Sequence, residues 1–486
     1  MTKIPAPRKL RTAPPGPKTA RFVNQASTRL TKRQFRTAQI MMGDDGGGSR
    51  KMEILVADAI MGSGKTSAAI NYMEDNYERF RFLFVTPYLE ETGRIQMACP
   101  NCQFKKPAKY GTKSNGLKHL LRRGENIAAT HELFLRLDDE GIQIIREQQY
   151  VLIIDEEMQV VEQFHITRQD IGIMVDMGLM LLRDDGTIAW TEDGWYSGYY
   201  GKVKKAAQES NLIWVKDEDG ACAGLYRAVS TKFFDAFEKV IVLTYLFEGT
   251  VMKAYFELYG YSVRSIGVRK NLNRYEFFDG TTEANLENLA SKITIWIDPA
   301  CSVGRRKGSL SYKWYSGKKK DDKMIVGLKK SMMRFMRSET GRRPHSSEIL
   351  WTTYNGSRAK LTGPGYAKGF ESHNCKATNK HRGRNKVAYM VNKFLNPGLN
   401  LFFLSHGIEV DQERYALASM LQFIWRSAIR DGNQITLYIP SDRMRWIFEE
   451  WLVDVSGISG RSNLNIICGI GDRREKIIPI DADKLK

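Results

Sequence analysis

Three groups of residues, widely separated along the 486-residue chain, carry side chains suited to phosphoryl transfer. The first follows the short apolar run MEILVA from Met52 to Ala57 and reads Asp58, Ala59, Ile60, Met61, Gly62, Ser63, Gly64, Lys65, Thr66, before a helical stretch to about Tyr72. A strand, a glycine loop and a helix in that order can hold nucleotide phosphates. Amides at the helix N-terminus point at phosphate oxygens, the lysine neutralises the terminal phosphates, and the hydroxyl after it ligates magnesium. Gly62, Ser63, Gly64, Lys65, Thr66 and Ser67 are therefore the candidate cradle for ATP, with Thr66 on Mg2+. Ala59 stands where the pattern has its first glycine.

The second group ends another apolar run, Val151 to Ile154, with Asp155, Glu156 and Glu157. Asp155 is placed to hold the magnesium through water, and Glu156 to position and deprotonate the attacking water. The third lies in a stretch from about Tyr415 to Arg430 that the spacing predicts as one helix. Leu417, Met420, Leu421, Ile424 and Ala428 share a face, and Gln422, Arg426 and Arg430 lie roughly 140 to 220° around from it. Such a helix would present an amide and two guanidiniums together, pointing outward, and Arg suits the charge developing on a transferring phosphoryl group.

To meet, these groups need a scaffold of buried strands with helices between them. Further strand-like runs are Arg81 to Pro87 (RFLFVTP), Asn126 to His131 (NIAATH), Ile241 to Thr250 (IVLTYLFEGT), Glu348 to Thr353 (EILWTT) and Gln434 to Pro440 (QITLYIP). The alternation predicts an α/β fold of two tandem lobes, each a parallel sheet flanked by helices. The expected divisions are a basic arm and linker over 1–50, a first lobe over 51–265 with a small β-containing insertion at about 164–228, a second lobe over 266–455 and a C-terminal extension over 456–486. Within the insertion, Trp190, Trp195, Tyr196, Tyr199 and Tyr200 could stack bases, though packing a small subdomain is the commoner use of such residues.

Formal charge is +19, and ten Lys or Arg with no acid fall in the first 43 residues, leaving +9 elsewhere. That balance points to a polyanionic partner. The arm is too poor in apolar residues for a core and is expected to be disordered; its acid-free, Arg-rich start also has the composition of a transit peptide, but without a clear amphipathic period. A basic segment over 305–343 holds fourteen Lys or Arg against three acids, interleaved with Tyr312, Trp314, Tyr315 and Phe335, as a nucleic-acid surface would. No apolar stretch is long enough to span a membrane, and six cysteines fit a reducing compartment. Cys99 and Cys102 have the spacing of half a zinc site, without a second close pair to complete it.

Taken in order, these segments resemble the superfamily 2 (DEAD-like) helicases. In that resemblance RFLFVTP and NIAATH are backbone-contact elements, which makes Thr86, Pro87, Thr130 and His131 nucleic-acid contacts, and IVLTYLFEGT couples hydrolysis to strand movement. Gln422 to Arg430 (QFIWRSAIR) resembles the motif whose Gln and two Arg reach the nucleotide from the other lobe. The final Arg comes one residue late and Trp425 replaces a glycine, so either Arg426 or Arg430 could be the finger. Ala377-Thr378-Asn379, Ala416 to Arg430 and Tyr438 to Arg445 look like a bacteriophage branch. The resemblance implies RecA-like lobes, a motor hydrolysing ATP with Mg2+, and a strand passing Thr86, Thr130, Thr352 and Thr378. It further implies single-stranded or tailed nucleic acid as partner, DNA favoured, replication proteins as possible associates, a monomer, and the cytoplasm of a bacterial host. A DNA-packaging or remodelling ATPase and a non-enzymatic nucleic-acid-binding protein are the other readings.

Overall fold

Strands buried on both faces of a parallel sheet must be apolar throughout, and the first lobe is assembled from such runs. The computed structural model describes residues 52–108, 110–183, 186–191, 198–208, 212–216, 221–282, 286–338, 345–374, 380–470 and 473–476. In chain order it forms β1 (Glu53–Asp58), β2 (Arg81–Thr86), β3 (Ile127–Thr130) and β4 (Tyr150–Asp155). An insertion follows with β5 (Val161–Phe164), β6 (Met180–Leu182), β7 (Ile188–Trp190), β8 (Leu212–Lys216) and β9 (Cys222–Ala228). The lobe closes with β10 (Lys239–Thr244), β11 (Ser262–Asn271) and β12 (Arg274–Asp279).

The first sheet has the order β12-β11-β1-β10-β4-β2-β3, with every neighbour parallel except the β11–β12 hairpin. The strands flanking the insertion, β4 and β10, are themselves neighbours, so the insertion leaves the sheet and returns to it without breaking its register. It builds its own sheet, β5-β9-β8, a two-stranded β6–β7 ladder, and a separate core around Ile171, Met174, Leu212 and Leu225. Trp190 and Tyr200 pack on that core, while Tyr199 stays exposed.

The second lobe consists of β13 (Ile293–Ile297), β14 (Ile349–Thr352), β15 (Lys386–Tyr389), β16 (Ile435–Tyr438), β17 (Asn465–Ile470) and β18 (Arg473–Lys476), in the order β14-β15-β16-β13-β17-β18. Only β18 runs antiparallel to its neighbour. Alternate residues feed two cores, as strand geometry requires. Trp296, Trp351, Ala388 and Tyr438 pack on one side, and Ile295, Leu350, Val387 and Leu437 on the other.

Three expectations change. The boundary at 265 falls inside β11, and the first sheet continues to Asp279, because the hairpin folds onto the helix after the glycine loop through Arg274 to Asp75 at 2.6 Å and the Asn71 amide to the Tyr275 carbonyl at 2.8 Å. The supposed extension over 456–486 supplies β17 and β18; β17 buries Ile466 and Cys468 against β13 and is a core strand. The helix around residue 420 is shorter than its periodicity predicts, running only from Gln412 to Ile424. The arm over 1–50, Trp195, Tyr196, Thr378 and its neighbours Ala377 and Asn379 lie outside the described residues. Among those described, no helix is long and apolar enough to cross a membrane.

Candidate nucleotide site and nucleic-acid path

At the carboxyl end of β1 the chain turns through Gly62, with φ 88°, and Gly64, with φ 92°, into the helix Lys65–Asp75. Gly64 is the N-cap in a left-handed conformation, which glycine adopts without steric cost. The Ser63 amide donates to the Ile60 carbonyl at 3.2 Å and closes the loop. The Lys65 ammonium donates to the carbonyls of Ala59 and, at 3.0 Å, Ile60. Burial pushes Lys65 down to about 8, against the opposing pull of Glu156, Asp155 and Asp58.

Strand β10 lies between β1 and β4 and ties the two acidic and basic groups together. Its Thr244 carbonyl accepts the Ala59 amide at 3.0 Å, and its Leu243 carbonyl accepts the Glu156 amide at 2.8 Å. Asp155 therefore ends level with the loop, and Thr66 Oγ1 donates to Asp155 Oδ1 at 3.3 Å. Burial, reinforced by the Glu156 charge, pushes Asp155 up to about 7. Glu156 has φ 65°, a conformation rare for a residue with a side chain, and its Oε2 is buried without a hydrogen-bond partner. The Ser63 hydroxyl is likewise buried and unpartnered. Two orphaned polar atoms beside a lysine, a hydroxyl and a carboxylate fit a phosphate chain with a divalent cation, because the Ser63 hydroxyl can donate to a phosphate oxygen and the Glu156 oxygen can accept from a water beside it. Gly62 and Ser67 are exposed at the same turn.

The residues predicted in the second lobe are not gathered on one helical face. Helix Gln412–Ile424 begins where Asp411 accepts the Glu413 and Arg414 amides, at 3.0 and 2.9 Å. It stops where the Ser427 hydroxyl donates to the Ile424 carbonyl at 2.7 Å and the Ala428 amide donates to the Arg384 carbonyl, at 2.9 Å, beside β15. Gln422 remains on the helix, half-buried. Arg426 is buried, its Nη1 donating to the Ser372 carbonyl at 3.2 Å, so it does not point outward as predicted. Arg430 sits in the short 3-10 turn Ala428–Asp431, half-buried. Burial and then Arg382 hold its guanidinium below the ordinary value, and Arg94 and Glu91 of the first lobe act on it too. Arg94 also acts on Asp155.

Other residues tie these groups together without having been singled out one by one in the sequence. Asp58 accepts the amides of Leu246 and Phe247 at 2.8 and 2.9 Å, fastening the segment after β10 to the root of the glycine loop. That segment also touches the second lobe: Trp451 Nε1 donates to the Tyr245 hydroxyl at 3.0 Å. A Cβ at Gly249 would stand 2.5 Å from Arg414 Cβ and 2.6 Å from the Tyr415 nitrogen. Ile60 is buried in the second lobe's core. The only signal available for Asp58 was a carboxylate closing an apolar strand, and for Gly249 a glycine within IVLTYLFEGT.

The predicted nucleic-acid contacts lie at carboxyl ends of strands. Thr86 and Thr130 are register partners on β2 and β3, Pro87 and His131 follow them, and Thr352 ends β14. Thr86 and Thr352 are fully buried, with hydroxyls that have no partner; Thr130 is half-exposed and caps the turn after it by accepting the Leu133 amide at 3.3 Å. His131 is buried. Cys99 and Cys102 are buried in the first-lobe core, and no group of three or more potential metal ligands occurs among the described residues.

Residues 287–452 match the family model described as the YonV C-terminal Rossmann-like domain, and 161–221 match the YonV middle domain. The SPbeta prophage-derived protein YonV of Bacillus subtilis (strain 168) is 32% identical over 415 residues, spanning 82% of this chain and 98% of that protein. Similar solved structures include apo XPD, at 11% identity and TM-score 0.46 over 90% of this chain and 99% of that one. The DUF1998 helicase MrfA bound to DNA and AMPPNP is 11% identical, with TM-score 0.31 over 89% of this chain and 52% of that one. Likenesses this loose leave the chemistry of the site to rest on its own geometry.

Proposed function

We propose that this chain, which belongs to the YonV family, is an ATP-driven motor that moves along nucleic acid by closing and opening its two lobes. The observation that carries the reading is the alignment of β1, β10 and β4, which brings Lys65, Thr66, Asp155 and Glu156 to one sheet edge, with the β10 loop bonded both to Asp58 and to the second lobe. Lys65 and the amides from Gly62 to Ser67 hold the triphosphate. Thr66, and Asp155 through water, would hold a magnesium ion, which would neutralise charge on the phosphates. Glu156 orients a water and takes its proton. Arg430, facing Arg94 and Glu91, supplies positive charge from the second lobe, with Gln422 on the preceding helix.

Nucleic acid crosses the carboxyl ends of the strands, at Thr130 and Pro87 first; Thr86 and Thr352 meet it when the lobes move enough to uncover them. The prophage origin of the relative supports work on viral DNA in replication or recombination, in a bacterial cytoplasm. ATP hydrolysis measured with single-stranded DNA, single-stranded RNA and duplex side by side should show stimulation by at least one, and Lys65→Ala should abolish it. Intact stimulated hydrolysis in that variant would end the proposal. Unwinding of 3′- and 5′-tailed duplexes then separates a helicase from a translocase that leaves strands paired.

A further inference from the structure

The basic stretch over 305–343 is divided by the fold. Tyr315 and Phe335 are fully buried and cannot stack on a base, whereas Tyr312 is exposed and Trp314 half-buried. Five of the fourteen cations lie on the helix Lys323–Arg337, whose Asp322 cap accepts the Met324 amide at 2.8 Å. Ile325, Leu328, Met332, Phe335 and Met336 bury one side of it against Trp296, Trp351 and Tyr438. On the other side Val326, Lys329, Lys330, Met333, Arg334 and Arg337 line a trough of about 460 Å³.

One cation in this trough is held in place. Arg334 Nε and Nη2 donate to Asp298 Oδ2 at 3.0 and 2.5 Å, and the Asp298 side chain is 1% exposed. Asp298 Oδ1 accepts the Ala300 amide at 3.2 Å, so the carboxylate is itself fixed. Among the described residues, Lys329, Lys330 and Arg337 pair with no carboxylate. Lys329 to Arg337 covers about 12 Å of helix axis, the rise of three to four phosphates along one strand of a duplex. An oriented guanidinium with three unpaired cations suits phosphate oxygens, and the strip of Val326 and Met333 between them suits sugar faces.

The trough lies on the side of the second sheet fed by Trp296, Trp351 and Tyr438. The helix Gln412–Ile424 and Ile60 of the glycine loop pack on the opposite side, with Ile295, Leu350 and Leu437. No first-lobe residue lines it.

We propose that this trough is a second nucleic-acid site, which grips a phosphodiester backbone outside the cleft and keeps its grip while the lobes open and close. It rests on the motor reading of the cleft. Tethering the nucleic acid there raises its effective concentration at the moving site.

The test uses the full chain, with a fluorescent single strand and a duplex of equal length titrated across a salt series. Lys329→Gln/Lys330→Gln should weaken binding at least tenfold at about 0.1 M salt and make the slope of log affinity on log salt shallower by roughly 1.4 on the single strand or 1.8 on the duplex. Lys329→Arg/Lys330→Arg should restore both. Thermal unfolding of each variant matched to wild type excludes misfolding as the cause. If wild type binds and the Gln variant matches it in affinity and slope, this site is wrong and the cleft reading survives. If wild type binds neither probe, both fall. If the Gln variant loses only binding of an acidic peptide such as polyglutamate, the trough is a protein-docking site and the proposal is overturned.

Discussion

The two ionisable groups at the centre of the cleft are held in opposite directions, and the consequence is a measurable trade between stability and turnover. Asp155 sits at about 7 in the folded chain against an ordinary 3.8. Between those values the folded state keeps a proton that the unfolded chain has released, so this group's contribution to stability falls as pH rises through that window and is least favourable above it. Asp155→Asn removes the cost of the buried charge. It should therefore raise Tm at pH 8, by roughly 2 to 4 °C per kcal/mol regained, with a smaller gain at pH 5, and it should abolish ATP turnover. A variant equally stabilised at both pH values would show that the carboxylate is not strained by burial.

The two arginines separate at the same scale. Arg426→Ala empties a buried position and frees the Ser372 carbonyl, which should cost about 1 to 3 kcal/mol of stability. Arg430→Ala should leave both Tm and nucleotide affinity near wild type while lowering turnover at least a hundredfold, the outcome expected of a residue that acts only on the transition state. Calorimetric unfolding beside nucleotide titration distinguishes the two, and the reverse pattern would make Arg426 the finger.

At the scale of elements, the segment Tyr245 to Thr250 joins one lobe to the other, and Gly249 is where the contact is tightest. Gly249→Ala must push this segment away from Arg414 and Tyr415, since the atoms met there are backbone and Cβ. ATP should still bind, because Lys65 and Asp155 stay in place, but stimulation by nucleic acid should fall at least tenfold; unchanged stimulation would remove the segment from the coupling path. The strands that position this machinery were legible because buried parallel strands are written as apolar runs with polar residues at their carboxyl ends, as in VLIID and IVLT. What was not legible depended on partners distant in sequence. Residues 425–430 keep helical periodicity, yet the Ala428 amide is taken by Arg384, which no pattern around Ala428 announces. β17 looked like an appendage because a single strand without its neighbour has only its own short run, NIICGI, to identify it. The trough on the helix Lys323–Arg337 was visible as charge, while burial of Tyr315 and Phe335 had to come from the fold.

For the whole molecule, the insertion ties the two lobes together away from the nucleotide site. It leaves the first sheet between β4 and β10, yet its sheet β5-β9-β8 seats a helix of the second lobe, Pro397–Ser405. Tyr226 of β9 lies against Phe402 with ring centroids 5.6 Å apart, and the Asn396 amide reaches Gln163 of β5 at 3.3 Å. Among the described residues the lobes thus meet directly, at Ile60 and along Tyr245 to Gly249, and again through the insertion, so an opening motion has to slide or break that further joint. Gly398 permits the close approach: a Cβ there would stand 2.0 Å from the hydroxyl of the buried Tyr226. Gly398→Ala should therefore lift the helix Pro397–Ser405 off the insertion while leaving the nucleotide site untouched. Hydrogen exchange should quicken in that helix and in β9, nucleotide affinity should stay within twofold of wild type, and the rate of nucleic-acid-stimulated turnover should change because the joint no longer restrains opening. Faster exchange with stimulated turnover identical to wild type would mean that the insertion merely packs against the second lobe and takes no part in its movement.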